Sequence, residues 1–252
     1  MNTRLESSQV GLTVENGCAR ILLNRPQVGN ALSPSMVDDI ERAIDGANAA
    51  GARLIVFSGA GKHLCTGFDL SDFDSCTDGD LLLRFVRIEH LLQKIYRSPV
   101  VTAAIGSGRV YGAGADLFAA CDRRIGLANA GFAFPGSGFG LILGTRRLAA
   151  RVGNDVARRT LLDGREIGIV RAAAIGLVTD CCEDGDLPEL LAGIAAAASR
   201  LDPLTVQALH AKTISGDDGA DLAALVNSAS RPGLKERIAA YRQRVADARS
   251  NK

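Results

Sequence analysis

No segment of this 252-residue chain reaches the roughly 18 consecutive apolar residues that a membrane-spanning helix needs, so no membrane partner is expected. The opening residues, MNTRLESSQV, hold no apolar signal core, and the chain reads as cytoplasmic. Net charge is almost absent as well: a formal +1 at pH 7 gives no reason to expect nucleic acid or a strongly charged partner. Metal-ligand spacing is missing. The six cysteines form no C-x-x-C pair and no Cys/His zinc pattern, so no metal is expected and the thiols read as reduced and mostly buried. Sequence repeats, low-complexity tracts and flexible linkers are lacking too. What remains is 47% hydrophobic residues, ample for a sizeable core, in a length that suits one large domain or a domain with a helical appendage. Lysine is scarce and arginine common. The tail from Arg231 to Lys252 is locally basic, with seven cations against Glu236 and Asp247, which suits a solvated helix face or a phosphate-bearing ligand.

Strand-like runs at Gln9–Val14 and Cys18–Leu23 flank Glu15-Asn16-Gly17, a strong hairpin signal. Ser33-Pro34 reads as the N-cap and first residue of a helix that keeps its apolar spacing to Gly51. Arg53–Ser58 is a buried strand, Gly59–Asp78 a loop, and Leu81–Tyr96 an apolar helix ended by Ser98-Pro99. Further strands are expected at Val100–Ile105, Arg124–Ala128 and Val178–Cys182. Short helices are expected at Gly144–Val152, Asn154–Leu162 and Ile169–Gly176. From Leu187 onward the pattern is helical only, and Leu234, Ile238, Tyr241, Val245 and Ala248 form a narrow seam suited to packing on another surface. Strands alternating with helices, then helices alone, predict an α/β core over residues 1–186 and a helical region over 187–252.

The chain is organised around Val100–Asp122, VVTAAIGSGRVYGAGADLFAACD. An apolar strand runs through Gly106, Gly108, Gly112 and Gly114 into a helix, a junction that leaves backbone N–H groups unpaired. Asp116 lies in the first helical turn. A dinucleotide fingerprint fits poorly: the glycine spacing is off by one and the acidic residue it requires is missing. An oxyanion pocket and a chemically inert tight turn are the other readings. A second glycine turn, Gly61–Leu70, also follows a strand. There Gly67 bends the backbone, Phe68 presents an N–H, and Asp69 can fix the turn by accepting local backbone bonds. Two such turns, each offering one N–H, can together hold a carbonyl oxygen that gains charge.

Four segments in order resemble the crotonase superfamily, the enoyl-CoA hydratase/isomerase family. They are Asn24-Arg25-Pro26 with Asn30-Ala31-Leu32, then Cys65–Leu70, then Gly112–Leu117 through Cys121-Asp122, and Leu141–Leu148. The resemblance covers roughly residues 10 to 245. It implies a crotonase-like spiral of ββα units with a helical C-terminal trimerisation region, often a dimer of trimers. It also implies an acyl-CoA substrate drawn from fatty acid metabolism, with coenzyme A as part of the substrate and no permanently bound cofactor. Carried over by position, Phe68 and Ala113 supply oxyanion-hole N–H groups and Asp116 is the acid/base. Arg25, Val28, Cys65, Gly67, Asp69 and Leu70 would line the coenzyme A entrance. Tyr241 and Arg244 would reach a coenzyme A near a neighbouring subunit. Gly112, Pro135, Gly136 and Ser137 would form the substrate pocket.

Departures from the family pattern bear on the reaction. A hydratase of the family uses two Glu residues. Here the first position is Asp116, one methylene shorter, and the second is Gly136, which cannot transfer a proton. Ser137 without a base is a poor substitute. His63 lies near the Phe68 loop, while His90 and His210 sit on predicted helices and read as structural. Beside the family default of hydration or isomerisation, the departures favour a reaction with one proton-moving group: isomerisation, thioester hydrolysis or decarboxylation. A non-catalytic protein that binds coenzyme A is the reading from a different class.

Overall fold

Described over residues 3–6, 9–214 and 216–250, the computed structural model opens with three antiparallel strands, β1 (Thr3–Glu6), β2 (Val10–Glu15) and β3 (Cys18–Leu23). Asn16 and Gly17 both adopt positive φ, 50° and 74°, as a tight hairpin turn between right-twisted strands demands. Helix α1 (Pro34–Ala49) starts as expected: the Ser33 hydroxyl accepts from the Met36 N–H at 3.2 Å, and Pro34 fills the first helical position.

Beyond α1 the chain winds as a spiral. The large sheet receives β4 (Leu54–Gly59), β5 (Val101–Gly106), β7 (Arg123–Leu127) and β10 (Asp180–Cys182), all parallel to β3. A second, three-stranded sheet is built from β6 (Arg109–Tyr111), β8 (Gly131–Ala133) and β9 (Ile167–Gly168), and Cys65 bridges to Val110 at its edge. Helices α2 (Asp78–Tyr96), α3 (Ala113–Ala120), α4 (Thr145–Val152) and α5 (Asn154–Asp163) close successive turns, with a 3₁₀ turn at Pro135–Phe139 before α4. The strand–strand–helix spiral expected from the resemblance is therefore the observed fold.

Two of the differences from the sequence expectation have a plain physical cause. The glycine stretch after β5 does not run straight into a helix; the short strand β6 comes between, because Val110 and Tyr111 pair with Phe132 and Ala133 of the second sheet. Helix α2 begins at Asp78, three residues before the expected Leu81, because Thr77 and Asp80 form a reciprocal capping box.

Burial follows strand periodicity. In β4, Ile55 and Phe57 point into the main core beneath α1 and α2, while Leu54 and Val56 face Leu191, Ile194 and Ala198 of α7 (Leu187–Ser199). Both faces are covered, which is why that strand reads as a continuous apolar run. Short α6 (Ile169–Ala174), then α8 (Pro203–Thr213) and α9 (Asp218–Ala229), lead to α10 (Leu234–Ser250). The expected free seam of α10 is half consumed within the chain. Leu234 and Ile238 are buried in a third cluster with Phe73, Leu81, Phe85 and Leu141, while Ala248 is exposed. Among the described residues no helix is long and apolar enough to cross a membrane.

Candidate active site

The two glycine turns meet. Leu32 forms a parallel bridge at Phe68 in which the Leu32 N–H donates to the Gly67 carbonyl at 2.7 Å and the Asp69 N–H donates to the Leu32 carbonyl at 3.2 Å. Bonding on that side uses the residues before and after Phe68, so the Phe68 N–H points the other way. Ala113 is the first residue of α3, where a backbone N–H has no acceptor within the helix. Between them stands Gly67 at φ 101°. A methyl group added there would lie 2.8 Å from the Tyr111 carbonyl oxygen and 3.4 Å from the Ala113 nitrogen. Only a bare backbone allows that approach. Gly112 takes φ 52°, ψ −128°, a conformation open essentially to glycine, and it aims the start of α3.

Asp116 sits one turn into α3 and is 5% exposed. Its backbone is ordinary helix, with its N–H donating to the Gly112 carbonyl at 2.9 Å. Its side chain is not ordinary: among the described residues, Oδ1 is buried without a hydrogen-bond partner. Gly144, the residue before α4, presses on it so closely that a methyl group there would fall 2.0 Å from Oδ1. Burial raises the carboxyl well above the usual carboxylate range; Arg147 pulls it down and Glu89 pushes it up. Those two form a buried ion pair behind it, at 2.5 Å with both side chains 1% exposed.

Phe68, Ala113 and Asp116 line one cavity of about 480 Å³. Among the described residues Asp116 is its only carboxyl. Of the residues singled out in the sequence, Gly67, Leu70, Gly112, Pro135, Gly136, Ser137 and Tyr241 also line it; Arg25, Val28, Cys65, Asp69 and Arg244 do not. Several lining residues were not singled out as site residues in the sequence: Phe85 from α2, Phe134, Leu141 and Leu143 between β8 and α4, and Asn154, Ala157, Arg158 and Leu161 along α5. The apolar pattern of α5 was legible, but which way it faced was not.

The residues outside the cavity have other duties. Arg25 donates to the Asp69 carboxylate at 2.5 Å and to the Ala31 carbonyl at 2.9 Å, so the N-R-P segment clamps the Phe68 loop. Burial alone would raise Asp69, but the hydrogen bonds from Arg25 and the Ser71 N–H win and hold it below the usual range. Asp69 thus fixes its turn as expected. Cys65 contributes no side chain to the surface: it is fully buried, and burial pushes its thiol up to about 12. Its backbone is held by the Tyr111 N–H at 3.0 Å, which keeps the side chain turned inward. Val28 is exposed, at 38%. His63 is outside the cavity, its Nδ1 accepting from the Arg109 N–H at 3.0 Å. Ser137 donates to the Leu161 carbonyl at 2.6 Å and is tied to α5. Arg244 donates to the Gly138 carbonyl at 2.9 Å, and Lys235 and Arg237 also bind loop carbonyls, so much of the basic tail anchors α10 to its own subunit.

The family model for enoyl-CoA hydratase/isomerase matches residues 13–216. The chain is 34% identical over 214 residues to the "Probable enoyl-CoA hydratase echA6" of Mycobacterium bovis, covering 84% of each chain. It is 43% identical to a crystal structure from Bordetella parapertussis described as a "putative enoyl-CoA hydratase/isomerase", with a TM-score of 0.90 over 93% of this chain and 98% of that one. An enoyl-CoA hydratase/isomerase structure from Xanthobacter autotrophicus Py2 superposes with a TM-score of 0.80 at 26% identity, covering 95% and 99% of the two chains. The chain belongs to the enoyl-CoA hydratase/isomerase family.

Proposed function

We propose that this protein processes an acyl-CoA thioester by holding an enolate in an oxyanion hole made of the Phe68 and Ala113 N–H groups, with Asp116 moving one proton. The observation that carries this reading is the contact between the two glycine turns. It brings the backbones of Phe68 and Ala113 together on the wall of the cavity that also holds Asp116, the only carboxyl among its described lining residues. Charge that develops on a thioester carbonyl oxygen would meet preorganised donors in a largely apolar surround, where such donors act most strongly. Asp116 keeps its proton to higher pH than a surface carboxyl, so it can deliver a proton to the α-carbon of an enolate or, once ionised, remove one.

Gly136 supports a reaction with one proton-moving group over hydration. It lies on the cavity wall where hydratases of the family carry their second carboxylate, and the described lining offers no other. Isomerisation, thioester hydrolysis and decarboxylation all fit one mobile proton. Coenzyme A would lie over the Phe68–Leu70 loop, with Tyr241 at the mouth; Arg25 would act there through Asp69, and Val28 at the rim. The helices after Leu187 are proposed to mediate assembly into a trimer or a dimer of trimers, and light scattering that returns a monomer of about 26 kDa would remove that part. The decisive experiment is a panel of acyl-CoA thioesters followed by calorimetry and by turnover. Binding with turnover that Asp116→Asn abolishes is expected. Binding of several thioesters with turnover of none would leave the non-catalytic reading, and no binding at all would remove the ligand.

A further inference from the structure

The proposed oxyanion donor Phe68 belongs to a loop without regular secondary structure, and something must hold its peptide still. Leu32 secures one side. The other side is secured from α2 by a residue that the cavity does not touch. Arg84 is 8% exposed, and its guanidinium carbon lies 4.3 Å from the centroid of the Phe68 ring. Its Nη2 donates to the Asp69 carbonyl at 2.6 Å and its Nη1 to the Asp72 carboxylate at 2.7 Å. The next residue, Phe85, stacks on the same Phe68 ring at 4.4 Å with planes 28° apart. One turn of α2 therefore grips the ring of Phe68, the carbonyl of the residue after it, and the end of the loop.

A buried guanidinium is an expensive way to fill space. It must be desolvated, and here its Nε has no partner among the described residues and it pairs with a carboxylate that is half exposed. An apolar side chain would pack the loop more cheaply, but it could not bind a carbonyl and a carboxylate at fixed directions while lying on a ring. The planar fork of arginine does all of this at once. We propose that Arg84 is a positioning residue that sets the direction of the Phe68 N–H. This rests on the oxyanion-hole reading above. Arg84 touches no reacting atom; its effect passes through the Phe68 ring and the Asp69 peptide.

The test uses cinnamoyl-CoA as a probe, because hydrogen bonds to its conjugated thioester carbonyl move its absorption to longer wavelength and lower the C=O stretching frequency. The native protein is expected to show both shifts. Arg84→Met is expected to bind the probe within about threefold of native while losing most of the shift, since ground-state binding relies on the whole cavity and polarisation on the donor direction. For any acyl-CoA that the native protein turns over, kcat should fall about 10–100-fold with KM little changed. Arg84→Lys, which keeps the charge but lacks the fork, should fall between. Asp72→Asn, at the exposed end of the clamp, should lose a smaller part of the shift and serves if Arg84→Met does not fold. A folded Arg84→Met with the native shift would overturn the role of Arg84, as would native shifts in both Arg84→Lys and Asp72→Asn. Absence of any shift in the native protein bound to the probe would instead overturn the oxyanion hole itself, and the positioning role with it.

Discussion

The cavity has two walls of opposite character. On one wall Asp116 is held with no room to spare: Gly144 presses on its carboxyl, and the Arg147–Glu89 pair stands behind it. On the other, Gly136 offers bare backbone in a 3₁₀ turn. A methyl group there would meet nothing closer than the Leu141 carbonyl oxygen at 3.4 Å, a contact that a small shift relieves. The first wall is built for one side chain in one place, and the second leaves a side chain out where space remains. Among the described lining residues the only carboxyl is on the first wall, so the proposed reading favours a reaction with one proton-moving group over one that needs two.

The sharpest way to break this contrast is to remove the chemistry of the first wall. Asp116→Asn keeps the shape and loses the mobile proton, so turnover of the native substrate should fall by about 10²–10⁴-fold, measured as kcat/KM with the best thioester of the panel. The same variant sharpens the comparison through stability. Asp116 has a raised folded-state pKa, so the stability it contributes is present below its unfolded value and is lost as pH rises through the folded one. Thermal melts should therefore show Asp116→Asn gaining on the native protein from about pH 4 upward, levelling off once pH passes the raised folded-state value.

Next in size is Gly67→Ala. Its methyl group would meet the Tyr111 carbonyl at 2.8 Å at a φ of 101°, prising the two turns apart. Activity should drop about 10²-fold, as expected for a displaced oxyanion donor, with far less change in thioester affinity by calorimetry. Filling the second wall tests it directly. Gly136→Glu should fold, and crotonyl-CoA hydration should rise by about tenfold, short of the usual range for an acid–base group because Asp116 is one methylene short of a glutamate.

The smallest expected effect lies outside the cavity and marks what belongs to the frame alone. His210 on α8 pairs with Asp122 at 3.2 Å, and its Nδ1 lies 2.8 Å from the Ser98 carbonyl oxygen. The Asp122 bond raises the His210 pKa against a smaller opposing effect of burial, while burial raises Asp122 and the bonds from His210 and Thr102 bring it below its usual range. The pair's contribution is lost as pH rises through the raised histidine value and as pH falls through the depressed aspartate value. His210→Ala should therefore destabilise more at pH 6 than at pH 8, by on the order of 1 kcal/mol, in denaturant titrations. Turnover measured at pH 8 should barely move.

The chain's local signals were strong where chemistry is local. Asn16-Gly17 specified the hairpin, Ser33-Pro34 specified the start of α1, and the glycine turns at Gly67 and Gly112 specified where bare backbone was needed. Thr77 and Asp80 carried a capping box that reads equally well as loop composition until the helix behind it is seen. Strand β6 had no signal of its own: three residues become a strand only when a second sheet supplies partners.

By itself, then, the sequence determined the alternation of strands and helices, the places where glycine is obligatory, and the position of one carboxyl, Asp116, in the first turn of the helix that follows a glycine turn. Those follow from backbone sterics, hydrogen-bond capping and side-chain chemistry, which act over a few residues. Tertiary structure alone decided that Arg25 clamps Asp69 across 44 residues of sequence, that Cys65 turns inward, and that the first half of the α10 seam, Leu234 and Ile238, closes on its own subunit. It also brought Arg84 onto the Phe68 ring and Glu89 and Arg147 behind Asp116. The reason is physical: a charged side chain reads the same in sequence whether it is solvated or buried, and only packing settles which partner replaces the water it loses.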